Sequence, residues 1–309
     1  MKFLITGDLY SKRGLYYGVL SFLVIAIMFW LSSFFNFYFK YGFSYDSIFR
    51  YYFTDQQFPE RISLQQLSED FHISTFILSF FYLMTASILA VTEFNYRLKT
   101  FIIVLSGVAT LFYCVSDFGV FLSPDILVYS KLTSFIVFQT SFGLMLFISI
   151  VYLTRRKSSG RRIALQKVVI YSYGLLTLLF ILSLVFIYYS KFGSSISGIK
   201  EYFLGNPEKF KRPKTVEGVF KSFYPHILMM ALFSFTISHL ASFSSGEKRM
   251  AIVLGVVLML VLSIENLSSL LILLSGEVFS YIKAGTFYLS LFLSLLLVLS
   301  IYSFGRMRG

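Results

Sequence analysis

Three histidines and two acids in apolar surroundings are the residues of this sequence whose types could do chemistry. The histidines are His72, His226 and His239, and the 309 residues contain no others. The acids are Asp117 and Glu265, each inside a long apolar run. Imidazoles bind metal ions and haem iron, and a carboxylate inside a membrane is costly and usually faces a protein interior or a water-filled cavity. These five residues are the predicted site.

The spacing of these residues limits what they could bind. His226 and His239 share one apolar run, and at 1.5 Å per residue they lie about 20 Å apart along a helix. They cannot bind one metal ion, but they could serve two sites at opposite depths. Asp117 and Glu265 are expected in the same half of the membrane as His72 and His226. Each carboxylate could orient a histidine ligand, or form a proton path to a quinone, or contribute to an ion site.

Each candidate also has a purely structural interpretation. A histidine at a membrane interface commonly caps a helix or contacts lipid headgroups. A carboxylate within a span can be held by nearby serine or asparagine side chains. The residue types alone leave these alternatives open.

Long apolar runs must position the candidate residues. Hydrophobic residues make up 57% of the chain and charged residues 14%, whereas soluble domains average about half and a quarter. Runs near 20 residues with few charges are typical of membrane-spanning helices, because backbone polar groups in hydrocarbon must be paired internally. The sequence therefore predicts an all-α integral membrane protein. Its eight predicted transmembrane helices are 15–39, 73–91, 101–122, 132–153, 168–189, 227–243, 250–274 and 284–304, with the second and sixth extending outward past His72 and His226.

An internal repeat divides these spans into two sets of four. Ordered matches recur at a separation of about 150 residues, as in duplicated chains. They include Lys40 with Lys191, Gly42 with Gly193, Pro59 with Pro213, His72 with His226, Glu93 with Glu247 and Lys131 with Lys283. Four helices return the chain to its starting side, so we expect two parallel four-helix repeats, related by a pseudo-two-fold axis along the membrane normal. The predicted domains are residues 1–158 and 159–309.

The distribution of charge predicts the orientation. More than half of the 27 lysines and arginines lie before the first span, after the last span or in the loops that follow even-numbered spans. The positive-inside rule places this side, with both termini, in the cytoplasm, and the chain in the inner (plasma) membrane. This placement at span ends argues against nucleic acid as a partner. On the opposite side, Lys131 and Lys283 are expected in two short loops.

Two long loops are also expected on the outer side. Each has an aromatic stretch with basic residues, 44–53 or 196–203, then a proline and an amphipathic stretch that runs into His72 or His226. Such segments are typical of chains that lie along a membrane surface. They could equally dock other protein subunits.

Two histidines this far apart on one span resemble the ligand arrangement of respiratory cytochrome b proteins. In that family two facing helices each carry such a pair, and two b haems lie between them. Here the outer ligands would be His72 and His226, whereas His239 would face Thr85, which is not a haem ligand. The resemblance covers the second and sixth spans. It implies at most one bis-histidine haem b, near the outer face.

Three functions follow from these features. The first is an electron-transfer subunit that exchanges electrons with quinone or a partner protein, with Asp117 and Glu265 handling protons or orienting ligands. The second is a structural or anchoring subunit of a larger membrane complex, docked through the long outer loops. The third is a transporter of small solutes or ions. The sequence has no phosphate-binding loop, HExxH or Cys-x-x-Cys motif, which argues against ATP-driven or hydrolytic chemistry.

Overall fold

The computed structural model of the chain describes residues 13–53, 60–155, 163–244 and 248–302. Within these ranges the regular structure is α-helical, apart from a 3-10 turn at Pro207–Lys209 and two isolated β-bridges. The α-helices of this part of the chain are α1 (Arg13–Tyr41), α2 (Tyr45–Tyr52), α3 (Leu64–Ala90), α4 (Tyr96–Leu122), α5 (Pro124–Thr154), α6 (Ile163–Phe192), α7 (Ile196–Leu204), α8 (Val216–Ser244), α9 (Lys248–Ser275) and α10 (Phe279–Tyr302).

Among the residues that the structure describes, seven helices are long and apolar enough to cross a membrane, namely α1, α3, α4, α5, α6, α9 and α10. The prediction of an all-α, multi-pass membrane protein is thereby confirmed. The predicted sixth span lies in α8, whose apolar part, Met229–Ser242, is shorter, so the count of eight spans stays a prediction. Because α3 begins at Leu64 and α8 at Val216, both helices extend past their histidines as expected. The amphipathic stretches before the histidines are therefore continuous with the long helices.

Glycine and serine residues define the turns that lead into the two short helices, α2 and α7, which we call the cap helices. Gly42 follows α1 with φ +71°, and Gly193 follows α6 with φ +67°. Glycine adopts this left-handed conformation without the steric cost of a Cβ atom. Ser44 then caps α2 and Ser195 caps α7, because each side chain accepts a hydrogen bond from the backbone N–H three residues later.

By packing, the chain divides into two compact units, Met1–Phe180 and Ile181–Gly309. The division falls within α6, so this helix contributes its first part to one unit and its last part to the other. The predicted repeat boundary at 158/159 concerns sequence equivalence between the halves, and it stays a prediction.

In the first unit, aromatic side chains hold α1 against α5. Phe37 of α1 stacks on Phe135 of α5, with 3.8 Å between ring centroids. The indole Nε1 of Trp30 donates to the carbonyl oxygen of Gln139 at 3.0 Å. The cap helix α2 contacts both α1 and α5. These contacts fix the end of α1, where Tyr41 lies, next to the end of α5.

In the second unit, the cap helix α7 covers the adjoining ends of α9 and α10. Ile199 and Phe203 of α7 are buried in a cluster with Ile272 of α9 and Phe287 of α10. Phe287 also stacks on Tyr188 of α6, with 3.8 Å between ring centroids and 8° between ring planes. Burying these aromatic faces stabilises the cap helix on the ends of the longer helices.

Candidate functional site

A buried ion pair joins α4 to α5 in the first unit. The Nζ atom of Lys131 lies 2.7 Å from an Asp117 carboxylate oxygen, and the two side chains are 0% and 2% exposed. The same ammonium group donates to the carbonyl oxygen of Tyr113 at 3.1 Å and lies 3.8 Å from the centroid of that ring. The pair adds no net charge to the membrane-spanning region, which lowers the cost of burying either charge.

Two tyrosines complete the surroundings of Asp117. The hydroxyl of Tyr41, at the end of α1, donates to the Asp117 carboxylate at 3.2 Å, and the hydroxyl of Tyr52, from α2, donates to the same oxygen. Burial and the charge of Asp117 raise the pKa of Tyr52 well above its ordinary value, so its hydroxyl stays protonated and remains a donor. Asp117 therefore links α1, the cap helix α2, α4 and α5.

A second ion pair lies beside this site at the partly exposed side of α2. The Lys40 ammonium is 2.7 Å from Asp70 of α3, and the hydroxyl of Tyr51 donates to the same carboxylate. Burial and the hydrogen bond to Asp70 raise the pKa of Tyr51. Consecutive tyrosines of α2 thus contact two different carboxylates.

In the second unit, an ion pair joins α9 to α10. The Lys283 ammonium contacts the Glu265 carboxylate, and it donates to the hydroxyl of Ser269 at 2.8 Å. The two charged side chains are 6% and 12% exposed. This pair also connects to the cap helix, because the Lys283 ammonium lies 5.8 Å from the ring centroids of both Phe192 and Phe203.

The two sites differ in one chemical respect. At the positions that the predicted repeat aligns, the first unit has Tyr41 and Tyr52, and the second has Phe192 and Phe203. The tyrosine hydroxyls donate to the carboxylate, whereas the phenylalanine rings face the ammonium group. Both arrangements attach a cap helix to a buried charge.

The expected loop positions of Lys131 and Lys283 are wrong. Lys131 lies within α5, and Lys283 within α10, and both side chains are buried. The sequence contains only part of the signal that would place them. Each lysine and its carboxylate lie on either side of the short turn between two consecutive helices, but in the second unit they lie at unequal distances from it, so the turn alone does not show that they meet.

The histidines occupy three different environments. His72 is half-buried on α3, and its ring stacks on Phe180 with 5.1 Å between centroids. His226 is exposed on α8, and His239, further along that helix, stacks on Phe235 at 5.6 Å. Because His72 and His226 belong to different units, a haem held by both stays a prediction. In the described part of the chain, no three histidine, cysteine or acidic residues form a group that could hold a metal ion.

Comparison with known proteins gives a family but no function. No curated protein and no solved structure matches the chain. A family model described as a transmembrane helical domain matches residues 42–160 and 193–308, which is more than half of the sequence. The first matched range contains the Asp117 and Lys131 pair, and the second contains the Glu265 and Lys283 pair. The chain belongs to this family of transmembrane helical domains.

Proposed function

We propose that this protein is a scaffold subunit, which anchors a larger complex in the membrane and holds partner proteins at the face that carries the cap helices. The observation that carries this proposal is the attachment of each cap helix to a buried ion pair. Tyr52 of α2 donates to Asp117, and Phe203 of α7 lies against Lys283. A rigid docking surface needs this kind of attachment, because a loop that orders only on binding weakens the complex.

The ion pairs themselves favour a scaffold over a transporter. In both buried ion pairs the ammonium group is next to a carboxylate, and the Asp117 carboxylate also accepts from two tyrosine hydroxyls. Charges that are paired in this way are satisfied within the protein, whereas a transport site needs groups that exchange their partners for a solute. Gly42 and Gly193, which begin the turns before the cap helices, are also the first residues of the two matched family ranges.

The same proposal includes eight spans, in two parallel repeats, with the cap helices on the outer face and both termini in the cytoplasm. Three features support it. The lysines and arginines concentrate at the opposite helix ends, the two units share the order of long helix, turn glycine, serine cap and short helix, and each unit has a carboxylate and lysine pair.

The proposal is tested with the tagged, full-length protein extracted in mild detergent from membranes of its own host. Blue native electrophoresis is expected to show a species heavier than the chain with its detergent, and mass spectrometry should find the same partners in repeated preparations. A variant with both Asp117→Asn and Lys131→Met should keep this species, because the pair serves only to hold the fold.

Two results would overturn the proposal. The first is a chain that migrates alone from several detergents and after crosslinking in intact membranes. The second is a double variant that is stable and fully assembled but no longer gives the host the phenotype that the wild-type gene gives it. That second result would assign the buried charges to transport or proton chemistry.

A further inference from the structure

The most exposed large apolar side chain in the described part of the chain is that of Phe210, which is 95% exposed. It lies in the turn between α7 and α8 rather than on a helix. The backbone at Phe210 is left-handed, with φ +55°, a conformation that bulky residues rarely adopt. An exposed phenylalanine in such a conformation needs a structure that holds it there.

Hydrogen bonds in the turn supply that structure. Asn206 and Lys211 exchange two backbone hydrogen bonds, each 2.9 Å long. The Asn206 side-chain oxygen also accepts from the N–H group of Lys209 at 3.3 Å. The N–H of Phe210 donates to the Pro207 carbonyl at 3.1 Å. The residues from Asn206 to Lys211 thus form a closed turn with Phe210 near its tip, which we call the Phe210 turn.

The cap helix α7 holds this turn in place. One carboxylate oxygen of Glu201 is 2.9 Å from the Lys209 ammonium, and the other is 2.6 Å from that of Lys211. The backbone N–H of Lys214 also donates to the carbonyl oxygen of Phe203 at 2.9 Å. The chain therefore runs back beside α7 on its way to α8, and the Phe210 turn stays close to the cap helix.

Contacts between α8 and α9 show the depth at which the turn lies. The side-chain amide of Asn266 in α9 donates to the carbonyl oxygen of Phe223 in α8 at 3.4 Å. One helical turn further out, Val219 of α8 is buried in the same cluster as Ile272 of α9. Continuing this antiparallel pairing brings the start of α8 level with the end of α9. The Phe210 turn, which precedes α8 and is held on α7, lies at this level.

This level coincides with the headgroup layer of a bilayer. The apolar span in α9 has 27 residues, or about 40 Å at 1.5 Å per residue, and a bilayer with its headgroups is about 40–45 Å thick. Tyr281, in the first turn of α10, is 56% exposed, and tyrosine is enriched at the boundary between hydrocarbon and water. Lipid headgroups are therefore the surroundings closest to the Phe210 turn.

The charge of the turn suits the phosphate groups of that layer. Residues 201–214 include two acidic side chains, Glu201 and Glu208, and four basic ones, which are Lys209, Lys211, Arg212 and Lys214. The basic side chains are exposed, including the two that pair with Glu201. A basic residue close to an anionic membrane surface favours binding by a factor of about five. The net positive charge therefore favours contact with anionic phospholipids.

The geometry points to the Phe210 turn as an anchor in the membrane surface. The ring of Phe210 enters between the lipid headgroups, and Arg212 and Lys214 bind the phosphate groups of anionic phospholipids. A protein would have to supply both an apolar pocket and carboxylates, whereas the membrane offers an apolar layer and phosphates at the depth where the turn lies. Because α7 already holds the turn, insertion costs little conformational entropy.

This inference goes beyond the scaffold function and needs no partner protein. It concerns how the cap helix α7 is fixed relative to the membrane. The turn and the buried Lys283 site would hold α7 from two sides, the turn through lipid and Lys283 through the contact with Phe203.

The test uses Phe210→Trp in the full chain, purified and placed in nanodiscs of phosphatidylcholine, with or without an equal part of phosphatidylglycerol. The native sequence has one tryptophan, Trp30, whose emission in the wild type is subtracted. In discs with phosphatidylglycerol, we expect the introduced tryptophan to be quenched by lipids brominated near the top of the acyl chain and protected from acrylamide in the water. In discs of phosphatidylcholine alone, quenching by the brominated lipids should be weaker.

Two charge variants, made in the Phe210→Trp background, test the role of the phosphates. Arg212→Gln with Lys214→Gln should shift the equilibrium from inserted to water-exposed tryptophan about 25-fold, a factor of about five for each charge removed. Arg212→Lys with Lys214→Arg keeps both charges and should preserve the quenching. Phe292→Trp is the matched control, because Phe292 is exposed in the middle of the apolar helix α10 and should be quenched equally in both kinds of disc.

Three results would overturn the inference. The first is an introduced tryptophan that acrylamide reaches freely and brominated lipid does not quench. The second is lipid quenching that is equal in both kinds of disc and unchanged when the two charges are removed. The third concerns intact host membranes, where p-benzoylphenylalanine in place of Phe210 should crosslink to phospholipid, and a discrete protein adduct in its place would assign the turn to a partner protein.

Failure here is distinguishable from failure of the scaffold proposal. The nanodisc experiment uses the purified chain alone, whereas the scaffold is tested by the heavy species on native gels. A turn that does not enter the membrane surface would leave that species, and the proposal that rests on it, unchanged.

Discussion

Asp117 on α4 and Lys131 on α5 form an ion pair with 2.7 Å between charged atoms and almost no exposure of either side chain. Such a pair contributes little net stability, because removing two charges from water costs about as much as their attraction returns. The cost of removing one charge of the pair differs from the cost of removing both. Removing one partner leaves an uncompensated charge, whereas removing both leaves none.

This asymmetry predicts the behaviour of three variants. Asp117→Asn and Lys131→Met should each destabilise the protein by about 3–5 kcal/mol, the range for broken buried pairs. The double variant should recover most of the loss, because the amide oxygen introduced by Asp117→Asn would still accept the hydroxyls of Tyr41 and Tyr52. The four proteins, which are the wild type and the three variants, are heated in detergent, and the loss of monodisperse protein is recorded. The midpoints of these curves give their order of stability. Additive losses in the double variant would contradict the structural role of the pair.

The sequence identified the carboxylate of each ion pair as a candidate but not the lysine that pairs with it. Asp117 and Glu265 were recognisable because a charge inside an apolar run is costly and needs a reason. Their partners were not, because a lysine close to the end of a run is indistinguishable from a loop lysine until the start of the helix is known. Lys131 lies about two turns inside α5, and this boundary depends on Pro124 at the first helical position.

The fold was likewise predictable only in part. The long helices follow from hydrophobicity alone, since hydrocarbon permits few alternatives for the backbone. The cap helices were expected only as aromatic surface segments, because a helix of eight or nine residues is marginal by itself and forms here through burial of Ile199, Phe203 and Tyr52. Packing of this kind depends on residues distant in the sequence, which single-chain patterns do not reveal.

The hydroxyl of Tyr52 should anchor the cap helix α2. Tyr52→Phe keeps the shape of the side chain but removes a hydrogen bond to a charged acceptor, which is worth about 1.5–3 kcal/mol. We expect amide hydrogen exchange in Tyr45–Tyr52 to accelerate about tenfold or more, with little change in the interiors of α4 and α5. Tyr129→Phe is the matched control, because that side chain is exposed. Equal exchange in the two variants would show that the hydroxyl does not hold the cap helix.

Gly143 should be required for the contact between α1 and α5. A Cβ atom at this position would lie 2.9 Å from the Cζ2 atom of Trp30, whose indole is held by its hydrogen bond to Gln139. Gly143→Ala is therefore expected to destabilise the protein by about 1–3 kcal/mol, as overpacked sites do. Gly285→Ala in α10 has open space around the new methyl group and should be neutral or stabilising by up to about 1 kcal/mol. Apparent melting temperatures in detergent compare the two, and an equal response would contradict the predicted clash.

The two ion pairs that Glu201 of α7 makes with Lys209 and Lys211, in the turn between α7 and α8, should persist to unusually low pH. Hydrogen bonds from Lys211 and Lys209 lower the pKa of Glu201 to about 2, from an ordinary value near 4.5. Because the pKa is lowered in the folded turn, the stabilisation is fully present above the ordinary value and is lost as the pH falls toward 2. Pepsin, which cleaves next to phenylalanine in acid, should cut the turn slowly at about pH 3.5 and rapidly near pH 2. The variant Glu201→Gln should be cut rapidly at both values, with rates corrected by a free peptide of the same sequence.

The histidines allow a test of the electron-transfer hypothesis from the sequence, in which His72 and His226 hold a haem b. The structure gives these residues different surroundings, since His72 stacks on Phe180 and His226 is exposed. A haem with two imidazole ligands would produce a sharp α-band in the reduced-minus-oxidised spectrum of the protein purified from a haem-replete host. We expect this band, at about one haem per chain, to disappear in both His72→Ala and His226→Ala if the two imidazoles are its ligands. His239→Ala is the matched control, because its imidazole stacks on Phe235 further along α8 and should leave an outer haem intact. A colourless protein would exclude the electron-transfer hypothesis and leave His72 and His226 as structural or docking residues of the scaffold.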